Sequence, residues 1–451
     1  MGLSIVHKSS EHIDKKNAKV ALVLAGGAVS GGAFKIGGLI ALNNYLLDRK
    51  ITEFDIYIGL SAGSILAAPL SGNISPEEML RSLDGRSKYF TQLQYLDFYY
   101  PNFKDFIKNP LKFTADFLNV VPSFLFDLFT LTPHIMLEVQ QFLINYYKNP
   151  SSANFEKILE PISNILIAPN NFPNIIKYLP SGFFDNKRLE IYLKKNMELN
   201  NLPNNFKELY NQFGKELFIT ATNLDTAERA VFGHNENNKL TISEAVQAST
   251  ALPGFYKPAR IKGIDYVDGG IRRTANIDVA YEHGAKLIIC YNPFRPIYNE
   301  IHAEYLEDLN KYVTEGEYIA DSGVLSVINQ VFRTLLHTRL EIGVERFKHD
   351  PSFNGDIILI EPSEDDKEFF NLNPVAFWDR ARAATQGFES VITSIEEEYD
   401  EVKEILKPYG IEITKHFVRE YLEKINKVSY SDEAVLSVLE KEEPSRKLKI
   451  I

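Results

Sequence analysis

One cysteine, Cys290, stands in 451 residues. No intramolecular disulfide can form, and nothing resembles a cysteine-based zinc cluster. Its setting, the apolar run Lys286-Leu287-Ile288-Ile289-Cys290-Tyr291, reads as a buried strand thiol. Positive charge is also short. There are 49 Lys and Arg against 60 Asp and Glu, a formal net charge of −11. That balance argues against nucleic acid as a principal partner. No stretch reaches the roughly 18 uncharged apolar residues of a membrane span. The nearest approach, 117–137, is broken by Pro122, Asp127 and Pro133. The N-terminal MGLSIVHKSSEHIDKKN lacks the apolar core of a secretory signal. Gly2 invites N-myristoylation, but Val6 stands where Ser or Thr is needed. These absences predict a cytoplasmic, reducing setting. Local apolar or basic patches still allow peripheral contact with membranes.

What is present is enough apolar material, 45% of residues, to fill a sizeable core. Residues 1–18 read as a polar, loosely ordered arm. KVALVLAGG, from Lys19, reads as a buried strand ending in glycines. A helix over 32–47 follows, with Phe34, Leu39, Leu42 and Leu46 on its period. Phe54 to Ile58 is a second strand, and Ser61 opens a second helix. This strand–helix alternation predicts an α/β fold, a parallel-rich central sheet flanked by helices. Strands are also expected at 216–224, 229–234, 264–270, 285–293 and 355–362, the first two as a hairpin. The catalytic core is therefore expected to be discontinuous, over 19–75 and 211–365. A helical insertion occupies 76–210, and a helical C-terminal region 366–451.

GLSAG, residues 59–63, places Ser61 between a strand and a helix. A serine on such a turn projects its hydroxyl from the sheet edge, and Gly59 and Gly63 permit the tight turn. GGAVSGG, residues 26–32, lies one strand–helix unit earlier. Backbone N–H groups at a helix N-terminus suit an anion. The loop has neither a Gly-Lys-Ser/Thr ending nor G-x-G-x-x-G, so an oxyanion fits better than a nucleotide phosphate. Asp268, followed by Gly269 and Gly270, closes a later strand. The usual serine triad needs a histidine. Of the nine present, His283 ends an amphipathic run, where a helix-end role fits. A single strand before the elbow strand also departs from an α/β-hydrolase with a late histidine. Asp268 acting directly on Ser61 is the expected arrangement, provided burial raises the proton affinity of the carboxylate.

Four segments, in this order, resemble the patatin-like phospholipases: LAGGAVSGGAFKIGGL (24–39), GLSAG (59–63), AVQASTALPGFYKP (245–258) and YVDGGIRRTANIDVAYEHGAKLII (266–289). The resemblance implies a Ser61–Asp268 dyad and hydrolysis of lipid acyl esters without metal or cofactor. It also implies an oxyanion loop of Gly26, Gly27 and Ala28, closed by Gly31. The sequence departs from the family in three places. Ala28 replaces the loop's third glycine, which is tolerable if its φ is negative. Ser30 replaces the basic residue common before the loop's last glycine. Asn276 replaces a proline common after DGG. The expected substrate is a phospholipid or lysophospholipid. Alternatives are a neutral acylglycerol or other ester hydrolysed by the same dyad, a catalytically weak lipid-binding protein, and a histidine-dependent hydrolase.

The stretch 95–129 is dense in aromatics, with Lys104, Lys108 and Lys112 at four-residue spacing across Pro110. It reads as an interfacial lid or as an ordinary helical subdomain, and either way as the wall of an acyl-chain pocket. Phe183, Phe184 and Leu189 are added to that wall, and Asp185 is a candidate helix cap.

Overall fold

Alternate residues of the central strands enter two different apolar layers. In Ala285–Tyr291, Leu287, Ile289 and Tyr291 join one buried cluster, and Ile288 and Cys290 join the other. Strands buried on both faces need this near-continuous apolar composition. The computed structural model describes residues 2–9, 15–112, 140–142, 144–145, 147–149, 179–306, 311–350, 352–427 and 432–441. Nine strands form the main sheet. They are β1 (Leu3–His7), β2 (Lys19–Leu24), β3 (Ile56–Leu60), β4 (Glu216–Asn223), β5 (Arg229–Phe232), β6 (Ala259–Ile261), β7 (Ile264–Asp268), β8 (Ala285–Tyr291) and β9 (Asp356–Ile360). Their order is β1-β9-β8-β2-β3-β4-β7-β6, with β5 paired to β4. The run β9-β8-β2-β3-β4 is parallel, and the remaining pairings are antiparallel.

Six helices bear on the site: α1 (Ala28–Tyr45), α2 (Ala62–Ser71), α3 (Ile242–Ser249), α4 (Ile277–Glu282), α5 (Val324–Lys348) and α6 (Arg380–Glu397). Residues of α1 and α6 contribute to the first apolar cluster, and residues of α4 and α5 to the second. The result is a mixed α/β architecture with helices on both faces of the sheet. The connection after β2 leads to β3 on one side, while β8 lies on the other side of β2. Loops at such a reversal open a crevice at the strand ends, where ligands of open sheets bind.

Two differences from the sequence reading stand out. Residues 3–7, expected in a loose arm, form an edge strand antiparallel to β9, with Leu3 buried. Helix α1 begins at Ala28 rather than 32, so most of the glycine-rich loop is already the first helical turn. Cys290 is a buried, free thiol, and His283 caps the end of α4.

The chain divides into two compact units, Met1–Tyr100 with Asp185–Ile451, and Pro101–Phe184. Residues 76–100 and 185–210, read as part of the insertion, thus belong to the first unit. In the second, residues 103–112 are helical through Pro110, and Phe103, Ile107 and Leu111 are exposed beside the three lysines. Residues 113–129 of the expected lid lie outside the described residues. Among the described residues no helix is long and apolar enough to cross a membrane.

Candidate active site

The register of the sheet brings Ser61 and Asp268 together. Leu60, the last residue of β3, pairs with Thr220 of β4. Asp268, the last residue of β7, pairs with Ala221, the next residue of β4. The other edge of β4 is taken by β5 over 219–222. β3 and β7 therefore share one edge and run towards each other until their ends meet. Ser61 is 8% exposed and Asp268 4% exposed, both line one cavity, and the Ser61 hydroxyl lies close enough to the Asp268 carboxylate to favour its ionised form.

Ser61 sits at φ 51°, ψ −128°, a strained conformation for a residue with a Cβ. Its N–H donates to Ser249 Oγ at 2.8 Å, and its carbonyl accepts from Ser64 Oγ at 2.6 Å. These bonds hold the turn from both sides. Gly63 is required by space: a Cβ there would lie 2.1 Å from the Leu24 carbonyl oxygen.

Asp268 Oδ1 accepts from the Gly270 N–H at 2.9 Å. Burial pushes its carboxyl up to about 6, against the nearby Ser61 hydroxyl, the Gly270 N–H and the positive charge of Lys35. The raised proton affinity asked of this group by the sequence is thus present.

The glycine-rich turn presents its backbone. Gly31 N–H donates to Gly27 O at 2.9 Å, and Val29 and Ser30 N–H both donate to Pro374 O at 3.0 Å. Among the described residues, no hydrogen bond uses the N–H of Gly27 or Ala28. Gly31 is consequently a closing residue of the turn and not a free donor. Ala28 lies at φ 52°, so the condition set for tolerating the replacement, a negative φ, is not met. As the first residue of α1, it has no acceptor for its N–H in the helical ladder. Asn276 is also left-handed, at φ 55°, a value that proline cannot adopt. Its amide donates to Thr220 Oγ1 at 2.9 Å, which locks the segment after DGG to β4.

Lys35 was not singled out by the sequence. It is fully buried in α1, and its ammonium donates to the carbonyls of Ala25 and Gly26, each at 2.5 Å. Burial brings it down to about 7, with Asp268 pulling the other way. Lys35 thus stands behind the turn, tied to its carbonyls, whereas Ser30 brings no amine.

Two apolar cavities adjoin Ser61. One, of about 80 Å³, runs between α1 and α2 to Leu83, Phe98, Leu189 and Phe377. The other, of about 130 Å³, spans Ser61, Asp268, Phe294 and the α5 residues Phe332, Leu335 and Arg339. Leu189 thus joins the wall expected of it, while Phe183 and Phe184 belong to the second unit. The helix over 187–199 begins after Asp185, whose carboxylate accepts from Lys187 N at 3.0 Å. No histidine lines either cavity among the described residues.

A family model described as patatin-like phospholipase matches residues 22–281. The chain is 24% identical over 107 residues to the "Probable lipid hydrolase 463L" of Invertebrate iridescent virus 6, covering 23% of this chain and 37% of that protein. The chain thus spans little more than a third of the length of that curated relative. Among solved structures, VipD from Legionella pneumophila is similar at a TM-score of 0.34 and 17% identity, over 88% of this chain and 70% of that one. The type III effector ExoU is similar at a TM-score of 0.32 and 12% identity, over 97% of this chain and 67% of that one.

Proposed function

The chain belongs to the patatin-like phospholipase family, and from that premise we propose that it is a serine acylhydrolase cleaving acyl esters of phospholipids or lysophospholipids. The observation that supports this reading is the meeting of Ser61 and Asp268 at one cavity, beside the unclaimed N–H groups of Gly27 and Ala28.

In the proposed reaction, Ser61 Oγ attacks the ester carbonyl while its proton passes to Asp268. The carbonyl oxygen becomes an oxyanion facing the Gly27 and Ala28 N–H groups. Losing one such donor typically costs about 10²- to 10³-fold in turnover. Collapse breaks the bond to the alcohol, which leaves with the proton from Asp268. A water then attacks the acyl-serine, gives its proton to Asp268, and releases the fatty acid as Ser61 is reprotonated. The apolar cavities beside Ser61 suit the acyl chain. The exposed apolar and lysine side chains of 103–112 suit transient contact with a membrane surface.

A fluorophosphonate probe tests the reading. Ser61 is expected to be labelled in the native protein, with labelling lost in Ser61→Ala and strongly slowed in Asp268→Asn. Native-rate labelling of Asp268→Asn, together with loss of labelling on replacing one histidine, would replace the dyad with a triad.

A further inference from the structure

A third cavity, of about 390 Å³, opens on the far side of the turn that follows Asp268. Four arginines line it: Arg272 and Arg273 from that turn, and Arg339 and Arg346 from α5. The chain as a whole is acidic, at −11, so this concentration of guanidinium groups runs against its composition. The one carboxylate in the lining, Asp278, is already paired twice, to Arg229 at 2.7 Å and to Arg273 at 3.1 Å. Carboxylates along α5 are engaged elsewhere: Glu341 with His337 at 3.6 Å, and Glu345 with Lys348 and His349, both at 3.1 Å. Arg339 donates to the carbonyl of Ile271, tying α5 to the turn. Among the described residues, Arg272 and Arg346 form no ion pair.

Arg339 and Arg346 are seven residues apart and so share one face of α5. Between them on that face lies Gly343, which also lines the cavity. A Cβ at Gly343 would meet nothing within 4 Å. Close packing therefore does not require this glycine, although a mid-helix glycine weakens a helix. What its missing side chain does is keep the floor between the two arginines clear. The cavity adjoins the apolar one over Ser61: Ile271, Thr274 and Arg339 line both.

Guanidinium forks match phosphate oxygens in geometry and charge. We propose that this cavity binds the phosphate of a phospholipid whose scissile ester lies at Ser61. The proposal rests on the esterase reading for its substrate, and it adds the selection of phosphorylated over neutral acylglycerols.

The test uses the full chain carrying Ser61→Ala, so that bound lipid is not consumed. Dihexanoyl phosphatidic acid below its micellar concentration, dihexanoylglycerol and inorganic phosphate are each titrated by calorimetry. The phosphorylated lipid is expected to bind about tenfold or more tighter than either of the others. Arg272→Gln/Arg346→Gln is expected to weaken it about tenfold or more, as for lost charge-assisted hydrogen bonds. Gly343→Leu, which fills the floor without touching an arginine, is expected to weaken it likewise while thermal unfolding shows an intact fold. Equal binding of phosphorylated and neutral lipid, or unweakened binding in both variants, overturns the proposal. Free phosphate binding as tightly as the lipid also overturns it, since the cavity then serves a soluble anion. Native protein separates the two claims. Arginine-dependent lipid binding without hydrolysis of any ester keeps this site and removes the esterase reading. Equal kcat/KM on phosphorylated and neutral esters keeps the esterase reading and removes this one.

Discussion

Two turns leave the same edge of the sheet one strand apart, Gly26–Ala28 after β2 and Ser61 after β3. Both hold a non-glycine residue at positive φ, Ala28 at 52° and Ser61 at 51°. They use that strain in opposite ways. At Ala28 the side chain is only a methyl, and the backbone N–H is left without an acceptor. At Ser61 the backbone is tied on both sides by Ser249 and Ser64, and the side chain is turned outward. The bracing differs to match. Ser61 is held by small neutral hydroxyls, which add no charge beside a carboxylate base. The glycine-rich turn is held by a buried cation, Lys35, on its carbonyls and by Pro374 on its next two N–H groups. One turn offers its main chain and the other its side chain, yet both are fixed through backbone groups.

The largest effect should come from removing what the second turn offers. Ser61→Ala is expected to lower kcat/KM for ester hydrolysis by about 10⁴-fold or more, and Asp268→Asn by a similar factor, with unchanged circular dichroism. In the proposed reaction Asp268 acts as a base only when ionised, and burial pushes its carboxyl up to about 6. The kcat/KM profile should therefore rise with pH up to about 6 and, below it, fall about tenfold per unit. Lys35→Met attacks the brace of the first turn. A loss of about 10²-fold is expected if the Gly27 and Ala28 donors drift. The positive neighbour that holds Asp268 down is also removed, so the acid limb should move to higher pH. An unmoved limb would leave Lys35 a packing residue only. Ser249→Ala attacks the brace of the second turn. It leaves the Ser61 N–H buried without its partner and should cost about 1–3 kcal/mol in urea unfolding. The smallest effect is expected from Ala28→Gly. It relieves about 1–2 kcal/mol of left-handed strain but loosens the unfolded chain by about 0.4–1 kcal/mol, so the net change should be a gain of about 1 kcal/mol or less.

The two turns were legible in the sequence because each is a local pattern, glycines and a serine at the junction of a strand and a helix. Their bracing was not. Lys35 stands in the run Ala33-Phe34-Lys35-Ile36-Gly37, where nothing marks a lysine as buried. Ser249 lies 188 residues from the N–H it receives. The meeting of Ser61 with Asp268 depends on which edge of β4 each strand takes, which pattern reading does not supply. Residues 3–7 escaped notice because Ser4 and His7 dilute a short apolar run in a polar segment. The conformation of Ala28 was left open by the sequence, and the turn imposes the left-handed one. The arginine cavity joins residues 272–273 to 339–346, and single arginines in two distant segments carry no local signal.

The carbonyl of Pro374 has a wider consequence. It lies beyond the stretch 22–281 that the family model matches, yet it occupies the N–H groups of Val29 and Ser30. A fragment trimmed to that stretch would also lack β1, β8 and β9 and the start of β2. Its anion pocket would then gain two rival donors one residue further along the helix, and a developing negative charge would have several places to settle instead of one. The matched stretch holds the proposed dyad, but later chain decides which of its amides stay vacant, so a minimal fragment meant to keep activity should be cut well past residue 374.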